Sequence, residues 1–149
     1  APGRLKLMNC KMEELPEGFG RLSTLQHLDL SHMEGRTFVL PDSFCRLSSL
    51  QQLDLSHSRV IDLPRNFSKL PALERLILSR CPLEVLPPDF GELPALRELD
   101  VSRSRLQAVP QGFAKLARLR QLDLSGLDLS FAFRNIVEQL ADRLPLLKV

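Results

Sequence analysis

The sequence predicts an α/β solenoid: a right-handed superhelix with a concave parallel β-sheet and short 3₁₀ or α segments on the convex side. The pattern Leu-x-x-Leu-x-Leu recurs every 23 to 25 residues, a Leu-Pro pair follows most copies, and a phenylalanine follows each pair. A fixed period of this length is typical of proteins whose units stack in one dimension. Full copies begin at Leu25, Leu50, Leu73, Leu96 and Leu119, and partial copies at Pro2 and Leu144.

The first part of each unit is predicted to be a short β-strand. In the unit that begins at Leu73, Leu76 and Leu78 are two residues apart and face one side, while Ile77 faces the other. Pro82 follows soon after and cannot donate to a β-ladder, so the strand must be short. Counting from the first leucine, positions 3 and 5 face outward, and the chain leaves the strand at position 8.

The second part of each unit is predicted to return the chain along the convex side. The Leu-Pro pair begins this segment, and Phe90 and Leu93 are three residues apart, as in one turn of 3₁₀ or α-helix. Stacking the units buries leucine against leucine and aligns the phenylalanines in one column. That column contains Phe19, Phe44, Phe67, Phe90 and Phe113.

The whole chain, residues 1–149, is predicted to be a single array of about seven units. Neither end carries an obvious polar cap of the kind a solenoid needs for solubility, so we expect either that the array is part of a longer protein or that a partner covers its ends. The strands are predicted to start near residues 2, 25, 50, 73, 96, 119 and 144.

Two units depart from the regular pattern. The second gains two residues around Glu34–Phe38, where Phe38 is expected to fill the core slot that Val60 and Leu83 fill elsewhere. The extra residues are either a tolerated surface insertion or a loop that contacts a partner.

The last full unit, residues 119–143, is expected to contain a longer α-helix. Ile136, Leu140 and Leu144 recur every four residues, which is helical spacing. Either Ser130, or Asn135 with Glu138, is expected to cap the start of this helix.

The combined pattern LxxLxLSxxxLxxLPxxFxxLxx resembles the leucine-rich repeat family along the whole chain. It is similar to the 23-residue subtype of intracellular Ras-signalling scaffolds, Scribble- and Erbin-type proteins, plant intracellular Ras-group proteins and some bacterial effectors. The resemblance implies a protein-binding module. The family usually has Asn at position 9, where its amide bonds neighbouring units, whereas this chain has Cys10, Met33, Ser58, Cys81, Ser104 and Leu127.

Composition gives little reason to expect nucleic acid or a membrane as a partner. The net charge is +2, from 20 basic and 18 acidic residues, and no run of 18 apolar residues is present. RNA recognition usually needs a stronger basic bias and stacking aromatic side chains, and no aromatic residue lies at an expected concave position.

The cysteines favour a reducing, cytoplasmic location. Three cysteines without a framework spacing leave at least one thiol free. The sequon Asn66-Phe67-Ser68 points the other way, but Phe67 is an expected core residue.

No catalytic or cofactor-binding pattern is present, so we expect no enzymatic activity, no cofactor and no metal. The serines, histidines and aspartates belong to the repeated Leu-Asp-Leu-Ser, and an open sheet offers no cleft that excludes water. His32 and His57 occupy equivalent positions, but a structural zinc site needs four ligands.

The expected binding surface is the concave face together with the edge where the strands end. Ile77 is an apolar exception in a column of aspartates and lies beside arginines, as central anchors of interfaces often do. The basic edge favours a partner protein with an acidic surface, although the alternative is a solvated face that balances the aspartates. The candidate residues are His27, Asp29, His32, Gln52, Asp54, His57, Arg75, Ile77, Arg80, Glu98, Asp100, Arg103 and Gln121.

The sequence therefore favours a non-catalytic protein–protein interaction module or scaffold. Two alternatives stay open. The chain could be a structural fragment of a large assembly, or the substrate-recognition domain of a larger enzyme such as a ubiquitin ligase.

Overall fold

The protein has the predicted architecture: seven strands form one parallel sheet whose order follows the chain, β1 to β7. The structure is a computed structural model that describes residues 3–128 and 131–149, and only the backbone of residues 131–133. Each strand has three residues. The strands are β1 Arg4–Lys6, β2 His27–Asp29, β3 Gln52–Asp54, β4 Arg75–Ile77, β5 Glu98–Asp100, β6 Gln121–Asp123 and β7 Leu146–Lys148.

The register pairs equivalent positions of neighbouring units. Leu28 lies opposite Leu53, Leu53 opposite Leu76, and Leu76 opposite Leu99. These position-4 leucines are at most 2% exposed, so the residues on either side of them, at positions 3 and 5, face solvent on the concave surface. The repeat thus lays equivalent side chains out in columns that cross the strands.

Short 3₁₀ helices return the chain along the convex side, as the Leu-Pro-x-x-Phe spacing predicts. The phenylalanine rings stack in parallel, with centroids 6.3 Å apart for Phe67 and Phe90 and 6.2 Å for Phe90 and Phe113. All five phenylalanines of the column are at most 8% exposed. The 3₁₀ helices span Glu17–Arg21, Asp42–Arg46, Phe67–Lys69, Phe90–Glu92 and Gln111–Lys115.

The return segment of the last full unit is an α-helix, α1, at Phe131–Ala141. Leu140 is buried in the common core, and the Arg143 guanidinium, just beyond the helix, donates hydrogen bonds to the carbonyls of Ala114 and Leu116 at 2.9 and 3.1 Å. The cap predicted at Asn135 is wrong, because this residue lies in the middle of α1. The alternative cap, Ser130, lies outside the described residues.

Phe38 fills the core slot of the second unit, as predicted, with 1% of its surface exposed. The two extra residues therefore leave the core pattern intact and form a surface loop. This loop turns at Gly35, whose φ of 127° is a backbone conformation that favours glycine.

Cysteine and serine act differently at position 9. The Cys81 thiol donates to the Leu55 carbonyl of the preceding unit at 2.8 Å, so it links two units. The hydroxyls of Ser58 and Ser104 donate to Leu55 and Val101, three residues earlier in their own units. The serines therefore form hydrogen bonds within their own turns and donate to no carbonyl of a neighbouring unit.

None of the helices in the described part of the chain has the combined length and apolar character required to span a bilayer.

Candidate functional site

All the candidate residues lie on the concave face or at its exit edge, which we define as the position-8 residues where the strands end. None of their side chains is fully buried. Position 3 forms one column, with His27, Gln52, Arg75, Glu98 and Gln121. Position 5 forms a second, with Asp29, Asp54, Ile77 and Asp100. The exit edge contributes His32, His57, Arg80 and Arg103.

The aspartates of position 5 have a local structural role that the sequence did not predict. In Asp29, Asp54 and Asp100, one carboxylate oxygen accepts a hydrogen bond of 2.9 Å from the backbone N–H of the serine two residues later. Asp123 makes the same bond to Ser125. Such Asx-type bonds stabilise the turn that ends each strand. The repeated aspartate is therefore explained by local structure, without a role in partner binding.

Ile77 interrupts this column and leaves the N–H of Ser79 without an equivalent carboxylate. Its neighbours in the register are Asp54 and Asp100, and its side chain is only partly buried. It forms one wall of a concave depression of about 180 Å³ that reaches Arg4 at the amino-terminal end of the sheet. This volume is below the roughly 300–1,000 Å³ of enclosed ligand pockets, so the depression suits a protruding side chain better than a small molecule.

The depression does not include every candidate. It brings together His27, Asp29, Gln52, Asp54, Arg75 and Ile77, whereas Glu98, Asp100 and Gln121 lie further along the sheet. Arg75 and Glu98 form an ion pair, with Nε and Oε2 3.0 Å apart and side chains 49% and 44% exposed. Exposed pairs of this kind contribute about 0–1 kcal/mol, so an acidic group on a partner can replace Glu98 at little cost.

The exit edge has a left-handed backbone, which the sequence analysis missed. Asn9, His32, His57, Arg80 and Arg103 have φ between 54° and 61°, and Gly126 at the equivalent place has φ 75°. This conformation is unfavourable for residues with a Cβ, by roughly 1 kcal/mol or more each. The signal in the sequence is the pair of residues that tolerate it, Asn9 and Gly126.

Backbone hydrogen bonds offset this strain. The N–H groups of His32, His57, Arg80 and Arg103 donate to the serine carbonyls of the next unit at 2.8–3.0 Å. The parallel ladder thus extends past the strands, and it fixes each exit-edge residue at the same place in its unit. The His and Arg side chains consequently form a row, with backbones about one strand spacing, ~4.8 Å, apart.

His32 and His57 stack face to face, with ring centroids 4.4 Å apart and planes 11° from parallel. Desolvation lowers the pKa of His57 below its usual range, and the nearby His32 and Arg80 lower it further, while Asp54 opposes them. The nitrogen lone pairs lie in the ring planes, so two parallel rings do not direct them at one point between the residues. The described residues contain no group of three or more His, Cys, Asp or Glu side chains that could hold a metal ion.

The cysteines are free thiols. Burial is the main cause that raises the pKa of Cys45 to about 12 and that of Cys81 to about 11. Both groups therefore stay protonated at neutral pH, which makes them poor nucleophiles and poor metal ligands.

The sequence matches the family model described as Leucine rich repeat over residues 4–60, 37–83 and 71–129. None of the curated proteins matches the chain in sequence. Among solved structures, the LRR protein LIC12759 of Leptospira interrogans is similar, with a TM-score of 0.83 and 29% identity over 93% of this chain. TLR13, in a complex with ssRNA13, has a TM-score of 0.73 and 26% identity over 98% of this chain.

The chain spans 35% of the length of LIC12759 and 24% of that of TLR13. The matched segments of the family model overlap and cover most of the chain, from Arg4 to Leu129. The sheet of short parallel strands and the column of phenylalanines agree with this match. We conclude that the chain belongs to the leucine-rich repeat family.

Proposed function

We propose that this chain is a non-catalytic module that binds a partner protein on its concave face and exit edge. Repeats of this family generally serve as protein–protein interaction modules. The observation that carries the proposal is Ile77, a partly exposed apolar side chain that takes the place of a turn-forming aspartate at the centre of the sheet. An apolar anchor within a polar and basic surround is a common composition for the energetic centre of an interface.

The charges favour a partner that carries carboxylates. Arg80, Arg103 and the neighbouring Arg59 and Arg105 are exposed, and the described residues around the exit edge contain few acids, among them Glu34 of the inserted loop. A row of cations at regular spacing attracts an acidic surface and accelerates association. We propose that the inserted loop lies beside this contact, because Glu34 lines the same groove as His57 and Arg80.

RNA is a second candidate because the similar TLR13 structure contains ssRNA13. We favour protein because the aspartate column runs alongside the basic edge and would repel a phosphate backbone. The position-3 and position-5 columns also offer no Phe, Tyr or Trp on which bases could stack. Binding of single-stranded RNA with a steep salt dependence, lost on charge reversal at Arg80 and Arg103, would instead support RNA.

We further propose a cytoplasmic scaffold or effector of the 23-residue subtype. The Leu-Pro-x-x-Phe pattern and the three free thiols support this assignment. The buried Phe67 and the Ser68 hydroxyl, which donates to Asp89, also disfavour glycosylation at Asn66.

Affinity purification with quantitative mass spectrometry tests the binding face. We would compare the wild-type chain with Ile77→Asp and with the double variant Arg80→Glu/Arg103→Glu. A double variant on the convex side, Lys115→Glu/Arg118→Glu, makes the same change in net charge away from the concave face. We expect the same proteins to be lost from both concave variants and kept by the control; capture that survives both concave changes would refute the proposed site.

A further inference from the structure

A second surface, separate from the concave face, has the properties of a docking groove. It lies where units two to four turn onto the convex side. Leu40, Leu63 and Leu86 form its floor and are 5–7% exposed, while Val39 and Val85 form its walls and are 50% and 56% exposed. We call this the apolar groove.

The exposure of the walls contrasts with the burial of the other apolar positions in the same units. Leucine and phenylalanine positions of the same units are almost completely buried, yet Val39, Ile61 and Val85 leave about half of their surface in water. Val39 and Val85 both line the groove, whereas Ile61 does not. Large apolar side chains that share one surface indicate an interaction site more strongly than isolated ones do. Buried prolines, Pro64 and Pro87, line the groove and fix its backbone, so little ordering is needed on binding.

The groove is bordered by acids. Asp42, Asp62 and Asp89 line it, and Arg65 is its one basic residue. Asp89 accepts a hydrogen bond from Ser68, but in the described part of the chain Asp42 and Asp62 have no ion-pair or hydrogen-bond partner for their carboxylates. The border therefore carries a net negative charge, and two of its carboxylates can pair with cations of a partner. The exit edge, in contrast, is basic.

These features discriminate among occupants. The groove has a volume of about 680 Å³, and its walls are half exposed. It is open to solvent, so a small molecule bound in it would keep much of its surface in water. A membrane surface is disfavoured, because anionic headgroups would meet the aspartates. A polypeptide segment with apolar side chains flanked by Lys or Arg could pack on the apolar floor and pair with the acidic border.

We propose that the apolar groove binds a polypeptide segment of a partner protein in which apolar residues are flanked by basic residues. This site uses none of the residues of the concave face. The module thus has two docking surfaces of opposite charge, and it can hold two partners, or two parts of one partner, at the same time.

Selection from a displayed library of random 12-residue peptides tests this proposal on the full chain. We expect selected peptides to combine apolar residues with Lys or Arg, and their affinity to fall as salt is added. Val85→Asp should weaken them by about tenfold or more, and Asp62→Lys should weaken them several-fold and remove most of the salt dependence. The matched control is Ala108→Asp, which places the same charge at the equivalent exposed position of the next unit, outside the groove.

Ile77→Asp should leave this binding unchanged, which separates the result from any failure of the concave site. The proposal is overturned if no selected peptide is weakened by Val85→Asp, or if the peptides are acidic and are lost on charge reversal at Arg80 and Arg103. Self-association of the chain that Val85→Asp abolishes would also overturn it, because the occupant would then be a second copy. Circular dichroism melting confirms that each variant is folded.

Discussion

The return side and the exit edge of this solenoid follow the same repeat, but the first is buried and the second is exposed. On the return side, Phe67, Phe90 and Phe113 are at most 1% exposed and stack ring on ring. At the exit edge, Arg80 and Arg103 occupy an equally regular row but are exposed and adopt a left-handed backbone. The difference shows that packing determines which residue occupies the return side, whereas at the exit edge the ladder determines only the backbone and leaves the side chain free for recognition.

The largest effect is expected from Phe90→Ala, which tests this contrast directly. Removing a fully buried ring from the middle of the stack should lower the free energy of unfolding by ~3–5 kcal/mol, since it removes apolar burial and leaves a cavity. Arg80→Ala, in the same unit but at the exit edge, should change it by about 0.5 kcal/mol or less. Urea unfolding followed by circular dichroism measures both; an equal effect of the two changes would contradict the contrast.

A second test concerns how closely the return segments approach each other. A Cβ added to Gly91 would overlap the carbonyl oxygen of Gly112, which is backbone and cannot move aside easily. We expect Gly91→Ala to cost about 1–3 kcal/mol or more, as overpacking does.

Gly18→Ala is the control for this change, because no atom lies within 4 Å of the added Cβ. It should be neutral or slightly stabilising, since alanine restricts the unfolded chain. If Gly91→Ala unfolds at the same urea concentration as Gly18→Ala, the return segments are less tightly packed than the structure indicates.

Much of the return side could be predicted from the sequence, but less of the exit edge. Leucine and phenylalanine spacing predicts the strands, the 3₁₀ helices and the burial of Phe38, because apolar side chains at regular intervals must share one core. The left-handed backbone was missed because His57 and Arg80 rarely adopt positive φ. The hydrogen bonds that Asp54 accepts from Ser56 and the close contact at Gly91 depend on atomic distances, which a residue pattern does not contain.

A third test uses position 9, at the boundary between the two sides. The Ser58 and Ser104 hydroxyls donate to backbone carbonyls of their own units, whereas the Cys81 thiol reaches the Leu55 carbonyl of the preceding unit. Replacing both serines by asparagine should add a hydrogen bond between units at each site, each worth about 1 kcal/mol. We expect a higher melting temperature by calorimetry, with Ser125→Asn as the control outside position 9; no increase would show that the asparagine amides do not bond the neighbouring units.

The smallest effect is expected from the titration of His57. Desolvation lowers its pKa, with further lowering by His32 and Arg80, so His57 should titrate below the ordinary histidine range in an NMR experiment. Because the folded pKa is lowered, the unfolded chain binds more protons, and the contribution of His57 to stability is complete above the unfolded pKa and declines as the pH falls through the window below it. His32→Asn, which keeps a residue that tolerates positive φ, should raise the pKa of His57, whereas Asp54→Asn should lower it further. A pKa of His57 that responds to neither change would contradict the electrostatic coupling that the stacked rings and the nearby Asp54 carboxylate imply.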